Sequence, residues 1–131
     1  LAQLEVAPIP GRVGQRIRNE LVFQNTNGVA PSSPTHRVEV VTTEALQSAL
    51  VKIDGNSSSQ VYQLEANFRI LDLKSKKIVF QGRSLGRAGF ERFESIYSNV
   101  RAREDAENRA ARTVAMDLRT RLAAYMSGTV Q

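Results

Sequence analysis

The chain has 131 residues, 41% of them hydrophobic, enough for one compact domain and far from any apolar run that could span a membrane as a helix. It has no cysteine, which excludes disulfides and thiolate metal sites. Eighteen basic residues against thirteen acidic ones leave a net charge of +5, a balance that favours an anionic partner or, more simply, a solvated surface of mixed sign.

Leu4 to Ile9 is a short apolar run stopped by Pro10-Gly11, which reads as a strand ended by a turn. Val13, Ile17 and Leu21 then recur every fourth residue among Arg12, Arg16, Arg18 and Glu20, the pattern of an amphipathic helix. Asn25 to Gly28 supplies residues that tolerate a left-handed helix end, and Val29 to Pro34 is a loop by composition. His36 to Thr43 is rich in β-branched residues, and Ala49 to Ile53 continues the character after an expected break at 44–48. Asp54-Gly55-Asn56 and the three serines after it read as a turn or loop.

From Val61 to Leu71 the alternation is strict. Tyr62, Leu64, Ala66, Phe68 and Ile70 define one face, and Gln63, Glu65, Asn67 and Arg69 the other, as in a half-buried antiparallel strand. Asp72 to Lys77 is a polar turn, and Lys77 to Leu85 is the returning strand, with Ile78 and Phe80 expected on one face. Gly82 and Gly86 signal a bulge or a close approach of another element. Ala88 to Glu94 brings two phenylalanines before the last helix, Ser95 to Met126, which contains neither proline nor glycine. Ala102, Ala106, Ala110, Val114, Leu118 and Leu122 form its inward stripe; Arg103, Glu104, Glu107, Arg109, Arg112, Asp117, Arg119 and Arg121 are expected outside. The order β-α-β-β-β-α over residues 1–131 predicts a single α+β domain. It is a two-layer sandwich, with a mainly antiparallel four-stranded sheet and both helices on one face.

Catalytic constellations are absent from this sequence. His36, the one histidine, stands at a strand edge after a proline-containing loop, and Glu104 and Asp105 are adjacent on a helix and diverge. The Gly82/Gly86 pair lacks the Lys-Ser/Thr of a phosphate loop. The expectation is a protein without enzymatic activity. An α-β-β-β-α order with positive charge is also that of double-stranded-RNA-binding modules. Against that, Arg101 and Arg103 are followed at once by Glu104 and Asp105, and the first strand has no place in such a module.

Two segments together resemble a known family. Ile9 to Leu21, centred on Arg12, Gln15, Arg18, Asn19 and Leu21, is similar to the first-helix motif of the LptE lipoproteins, the lipopolysaccharide-assembly lipoproteins of Gram-negative outer membranes. Tyr97-Ser98-Asn99 with Ala102, Asp105, Ala106, Arg109, Ala110 and Ala111, then Asp117, Arg121, Leu122 and Tyr125, resembles the last helix of the alphaproteobacterial members. Tyr62-Gln63-Leu64 and Asp72 to Lys77 fit the family's central hairpin.

The resemblance implies a lipid-anchored protein on the periplasmic side of the outer membrane, with no cofactor. It would plug the LptD β-barrel and help insert lipopolysaccharide into the outer leaflet. The family's lipidated cysteine is not in this sequence, so the segment is expected to begin downstream of it and of a signal peptide. Lipid A carries phosphates that guanidinium groups hold by charge-assisted hydrogen bonds. Candidate lipopolysaccharide contacts are therefore Arg101 and Arg103 with Lys52, and a second cluster of Lys74, Lys76 and Lys77. Candidate contacts to the barrel are Arg12, Gln15, Arg16, Arg18 and Asn19. Each set also has a plainer reading: helix ion pairing for Arg101 and Arg103, edge protection for the lysines, and a wet helix face for the rest. An auxiliary lipoprotein of another lipid-transport complex is the alternative function.

Overall fold

The computed structural model describes residues 4–26, 34–54, 57–92 and 96–126. Six elements follow one another: β1 (Leu4–Val6), α1 (Arg12–Thr26), β2 (His36–Asp54), β3 (Ser57–Asp72), β4 (Lys77–Arg92) and α2 (Ile96–Met126). The sheet order is β1-β2-β3-β4, with β1 parallel to β2 and the other two pairings antiparallel. A parallel neighbour requires a crossover between the two strands, and α1 lies within it. The architecture is the expected α+β sandwich.

Three boundaries differ from the sequence reading. No break occurs at 44–48: Glu44 to Ser48 pairs in unbroken register with Gln60 to Leu64, and the first shift comes only between Ser48 and Lys52. The Glu-Ala-Leu-Gln composition has low strand propensity, but pairing to the strongly alternating β3 overrides it. Ser57 to Ser59, expected in a loop, belongs to β3, whereas Gly55 and Asn56 lie outside the described residues, as do Asn27, Gly28 and 29–33. Likewise β4 continues through Gly86, Gly89 and Phe90 to Arg92, because β3 offers partners along its full length. The first strand, in turn, ends at Val6.

A bulge also corrects the face of one residue. Ile70 faces Phe80 and Leu71 faces Ile78, leaving Val79 as the extra residue. Ile78 is thereby turned to the open face, where it is 47% exposed, while Phe80 stays on the helix side against Tyr125, ring centroids 5.2 Å apart.

One core fills the space between sheet and helices. Val38 and Val40, then Tyr62, Leu64, Ala66, Phe68 and Ile70, form the floor; Val13, Ile17 and Leu21 come from α1; Ala106, Ala110, Ala111, Val114, Ala115, Leu118 and Leu122 come from α2. The alanine stripe lets α2 sit very close to β4. A Cβ placed on Gly86 would stand 2.6 Å from the Ala110 carbonyl oxygen, so Gly86 marks a close approach rather than a bulge. Polar side chains of α2 then clasp the strand. Arg109 donates to the Gly89 carbonyl (2.8 Å), Arg121 donates to the Arg83 carbonyl (2.8 Å), and the buried Ser84 hydroxyl donates to Asp117 (2.6 Å).

Candidate functional site

The residues proposed for lipid contact fall at two opposite ends of the sheet. Arg101 and Arg103 lie in the first turns of α2, beside the start of β3; Lys74, Lys76 and Lys77 lie in and just after the β3–β4 turn. About ten strand residues, roughly 33 Å, separate the two clusters. Lys52 pairs in register with Ser58 at the α2 end, though its side chain lies outside the described residues. The structure thus keeps Arg101, Arg103 and Lys52 at one end and leaves the three lysines at the other.

The lysine turn owes its shape to its neighbours. Asp72 accepts hydrogen bonds from the backbone amides of Lys74 (2.8 Å) and Ser75 (3.2 Å), and those amides hold its carboxyl below the usual carboxylate range. Lys76 takes a left-handed backbone, φ 59°, and all three ammonium-bearing side chains are exposed. The α2 end is different: Ile96, Tyr97 and Val100 are 81%, 71% and 51% exposed, and exposed Arg101 and Arg103 follow them directly. Sequence reasoning missed this apolar tip. Its signal was available, because Ile96, Tyr97 and Val100 precede the alanine stripe and have no place on it.

Arg103 is shared between this surface and the fold. It pairs with Glu107 one turn on, Nε to carboxylate 3.1 Å, and Glu107 also receives the Arg12 guanidinium from α1. Glu107 is therefore not the outward residue that the helical periodicity predicts; its side chain is only 12% exposed and ties the two helices together at their starts. Arg101 makes no ion pair among the described residues. Replacing Glu107 with Gln should cost about 1–2 kcal/mol, since both arginines are half exposed and screened. Urea unfolding of the two proteins checks this.

The five α1 candidates do not form one surface. Gln15 and Asn19 do: both are exposed, and the Gln15 amide donates to the Asn19 side-chain oxygen at 2.9 Å. Arg12 follows the same helix face but spends its guanidinium on Glu107. Arg18 turns back to donate to the Val6 carbonyl (3.3 Å), holding β1 to the helix. Arg16 is half-buried, its Nε without a hydrogen-bond partner among the described residues. The open face of the sheet carries cross-strand pairs instead: Arg69 with Glu39, Arg83 with Glu65, Arg37 with Glu5. His36 meets Tyr125 edge-on, centroids 6.2 Å apart. No group of three His, Asp or Glu side chains that could hold a metal occurs among the described residues, and no described helix is long and apolar enough to cross a membrane.

No protein-family model matches the chain, and no curated protein matches its sequence. Solved structures do match in fold. A protein described as a lipoprotein from Caulobacter crescentus superposes with a TM-score of 0.73 at 20% identity, over 97% of this chain and 92% of that one. A minor lipoprotein from Acinetobacter baumannii gives 0.67 at 15% identity, over 94% and 93%. The rare lipoprotein B from Shewanella oneidensis gives 0.57 at 12% identity, over 95% and 98%. At such identities the likeness is one of fold, and it runs nearly end to end: the chain has the fold of bacterial lipoproteins.

Proposed function

We propose that this chain is the folded part of an LptE-like lipoprotein: a non-catalytic plug and assembly subunit that binds an LptD-type β-barrel and lipopolysaccharide at the outer membrane. The observation that carries the reading is the end-to-end fold likeness to lipoproteins of three Gram-negative bacteria, on a chain whose two helices bear LptE-like motifs. The α2 end supports the lipid half of it. Exposed Ile96, Tyr97 and Val100 beside Arg101 and Arg103 match a ligand with acyl chains below an anionic headgroup. The exposed Gln15–Asn19 pair on α1 offers a polar surface to the hydrated wall of a barrel.

Two measurements test the two halves. The lipid-anchored protein should co-purify with the LptD barrel from its own envelope; a folded protein that never does so removes the translocon assignment. Arg101→Glu with Arg103→Glu should weaken lipopolysaccharide binding on the order of tenfold or more, two charge-assisted contacts of about 1–2 kcal/mol being lost and reversed. The circular dichroism spectrum should be unchanged. Undiminished binding takes the two arginines out of the site.

A further inference from the structure

Most arginines of this chain are occupied by the fold itself. Seven form ion pairs with acidic side chains, and Arg18 and Arg87 hydrogen-bond to the Val6 carbonyl and the Gln63 side chain. Arg16, Arg101, Arg112 and Arg119 make no ion pair or hydrogen bond among the described residues. Arg101 belongs to the exposed tip of α2. The other three gather along one seam, where α1 lies beside α2.

The two helices run side by side in the same direction. Arg12, at the start of α1, holds Glu107; about two turns on, Glu20 borders a groove with Arg112, Ala115, Met116 and Arg119. Ala115 is buried in its floor, while Met116 stands 63% exposed between the two arginines. Arg16 and Asn108 lie one turn before Glu20 and Arg112 on their helices. Each keeps an atom, Nε and Oδ1, shielded from solvent without a hydrogen-bond partner among the described residues. The seam is therefore polar, positive and unsatisfied by the fold.

We propose that an acidic segment of the barrel protein docks in this groove, an inference that rests on the plug reading. Size comes first: about 220 Å³ falls below the roughly 300–1,000 Å³ of small-molecule pockets, so the groove takes one or two side chains of a larger body. Charge selects their sign, because three unpaired arginines stand against the one carboxylate of Glu20. Glu20 also argues against a phosphate. It lines the same groove outside ion-pair reach of any described cation, and a group that only accepts would leave it facing like charge. A polypeptide answers both, with Asp or Glu side chains for the guanidiniums and backbone N–H groups for Glu20. Arg112 and Arg119 stand two turns, about 10.5 Å, apart, which suits two carboxylates on one segment. Met116 adds an adaptable apolar contact between them. Exposed Gln15 and Asn19 immediately precede Arg16 and Glu20 on α1, so the groove continues the polar surface offered to the barrel wall.

Arg112 and Arg119 are exposed and hold nothing in the fold, so both can be reversed without unfolding it. In the lipid-anchored protein, Arg112→Glu with Arg119→Glu should lower recovery of the LptD barrel from the envelope on the order of tenfold or more. Its circular dichroism spectrum and its lipopolysaccharide binding should be unchanged. Arg112→Lys with Arg119→Lys, which keeps both charges, should restore most of the recovery, and Arg101→Glu with Arg103→Glu should retain the barrel. The chain has no cysteine of its own, so a photoreactive group on Met116→Cys reports on this groove alone. It should attach to a barrel peptide containing Asp or Glu. A parent protein that never recovers the barrel removes the translocon assignment and this site with it. Equal recovery by the parent and the charge-reversed protein overturns the groove and leaves the plug standing. Labelling of lipopolysaccharide, or of a barrel peptide without acidic residues, does the same.

Discussion

Gly86→Val should lower stability by about 3 kcal/mol or more, and Gly86→Ala by about 2 kcal/mol, the range found when atoms are forced into a filled core. The reason is backbone against backbone. The missing Cβ points at the Ala110 carbonyl oxygen, 2.6 Å from its ideal position, and at Val114 Cγ2, 3.0 Å away. A helix carbonyl cannot swing aside as a lysine tip can. To admit a side chain, α2 must lift from β4, loosening Ala106, Ala110 and Val114, each 0% exposed. Small domains have roughly 5–15 kcal/mol of stability in all, so the valine variant should lose on the order of 10 °C in Tm. Gly89 is the internal control. It lies on the same strand, but a Cβ there comes no nearer than 3.8 Å to the Gln60 carbonyl oxygen. Gly89→Ala should stay within about 0.5 kcal/mol of the parent. Urea and thermal unfolding of the three variants decide the matter; a valine variant that unfolds at the parent midpoint would mean that α2 is not seated on β4 at Gly86.

The fold was legible where periodicity was strict. β3 alternates so cleanly that its buried set, Tyr62 to Ile70, could be read off residue by residue, and the alanine stripe of α2 likewise located the helix face that meets the sheet. Legibility failed where a partner, not the local sequence, decides structure. Glu44 to Ser48 and Ser57 to Ser59 extend only because they pair with each other's strand, and Ile78 faces outward only because Val79 is bulged against β3. Among the candidate site residues, the helical wheel could place Arg103 and Glu107 on α2 but not see that Arg12 of α1 would draw Glu107 inward. The parallel placement of β1 is equally invisible to a pattern read along one strand at a time.

Tyr62 should prove the most sensitive side chain of the sheet, and its hydroxyl should give the protein an alkaline limit of stability. Its ring is 0% exposed, yet the phenol reaches Glu44 of the neighbouring strand and donates a hydrogen bond to that carboxylate. Truncation to Ala should cost about 3–5 kcal/mol, the usual range for emptying a buried aromatic site. Tyr62→Phe keeps the ring and loses one hydrogen bond, so near neutral pH it should cost only about 1 kcal/mol. Burial first, and the adjoining Glu44 carboxylate second, push the phenol well above its ordinary value near 10. The folded state therefore keeps the proton where the unfolded chain releases it. Stability from this group is full below about pH 10 and falls by up to about 1.4 kcal/mol for each pH unit above it, until the folded phenol itself titrates. Other groups titrate in that range too, so the quantity to measure is the difference between parent and Tyr62→Phe from pH 8 to 11. The parent's advantage should shrink with rising pH and reverse near pH 11. A difference that stays constant across that range would mean the phenol ionises in the folded protein as readily as in the unfolded chain.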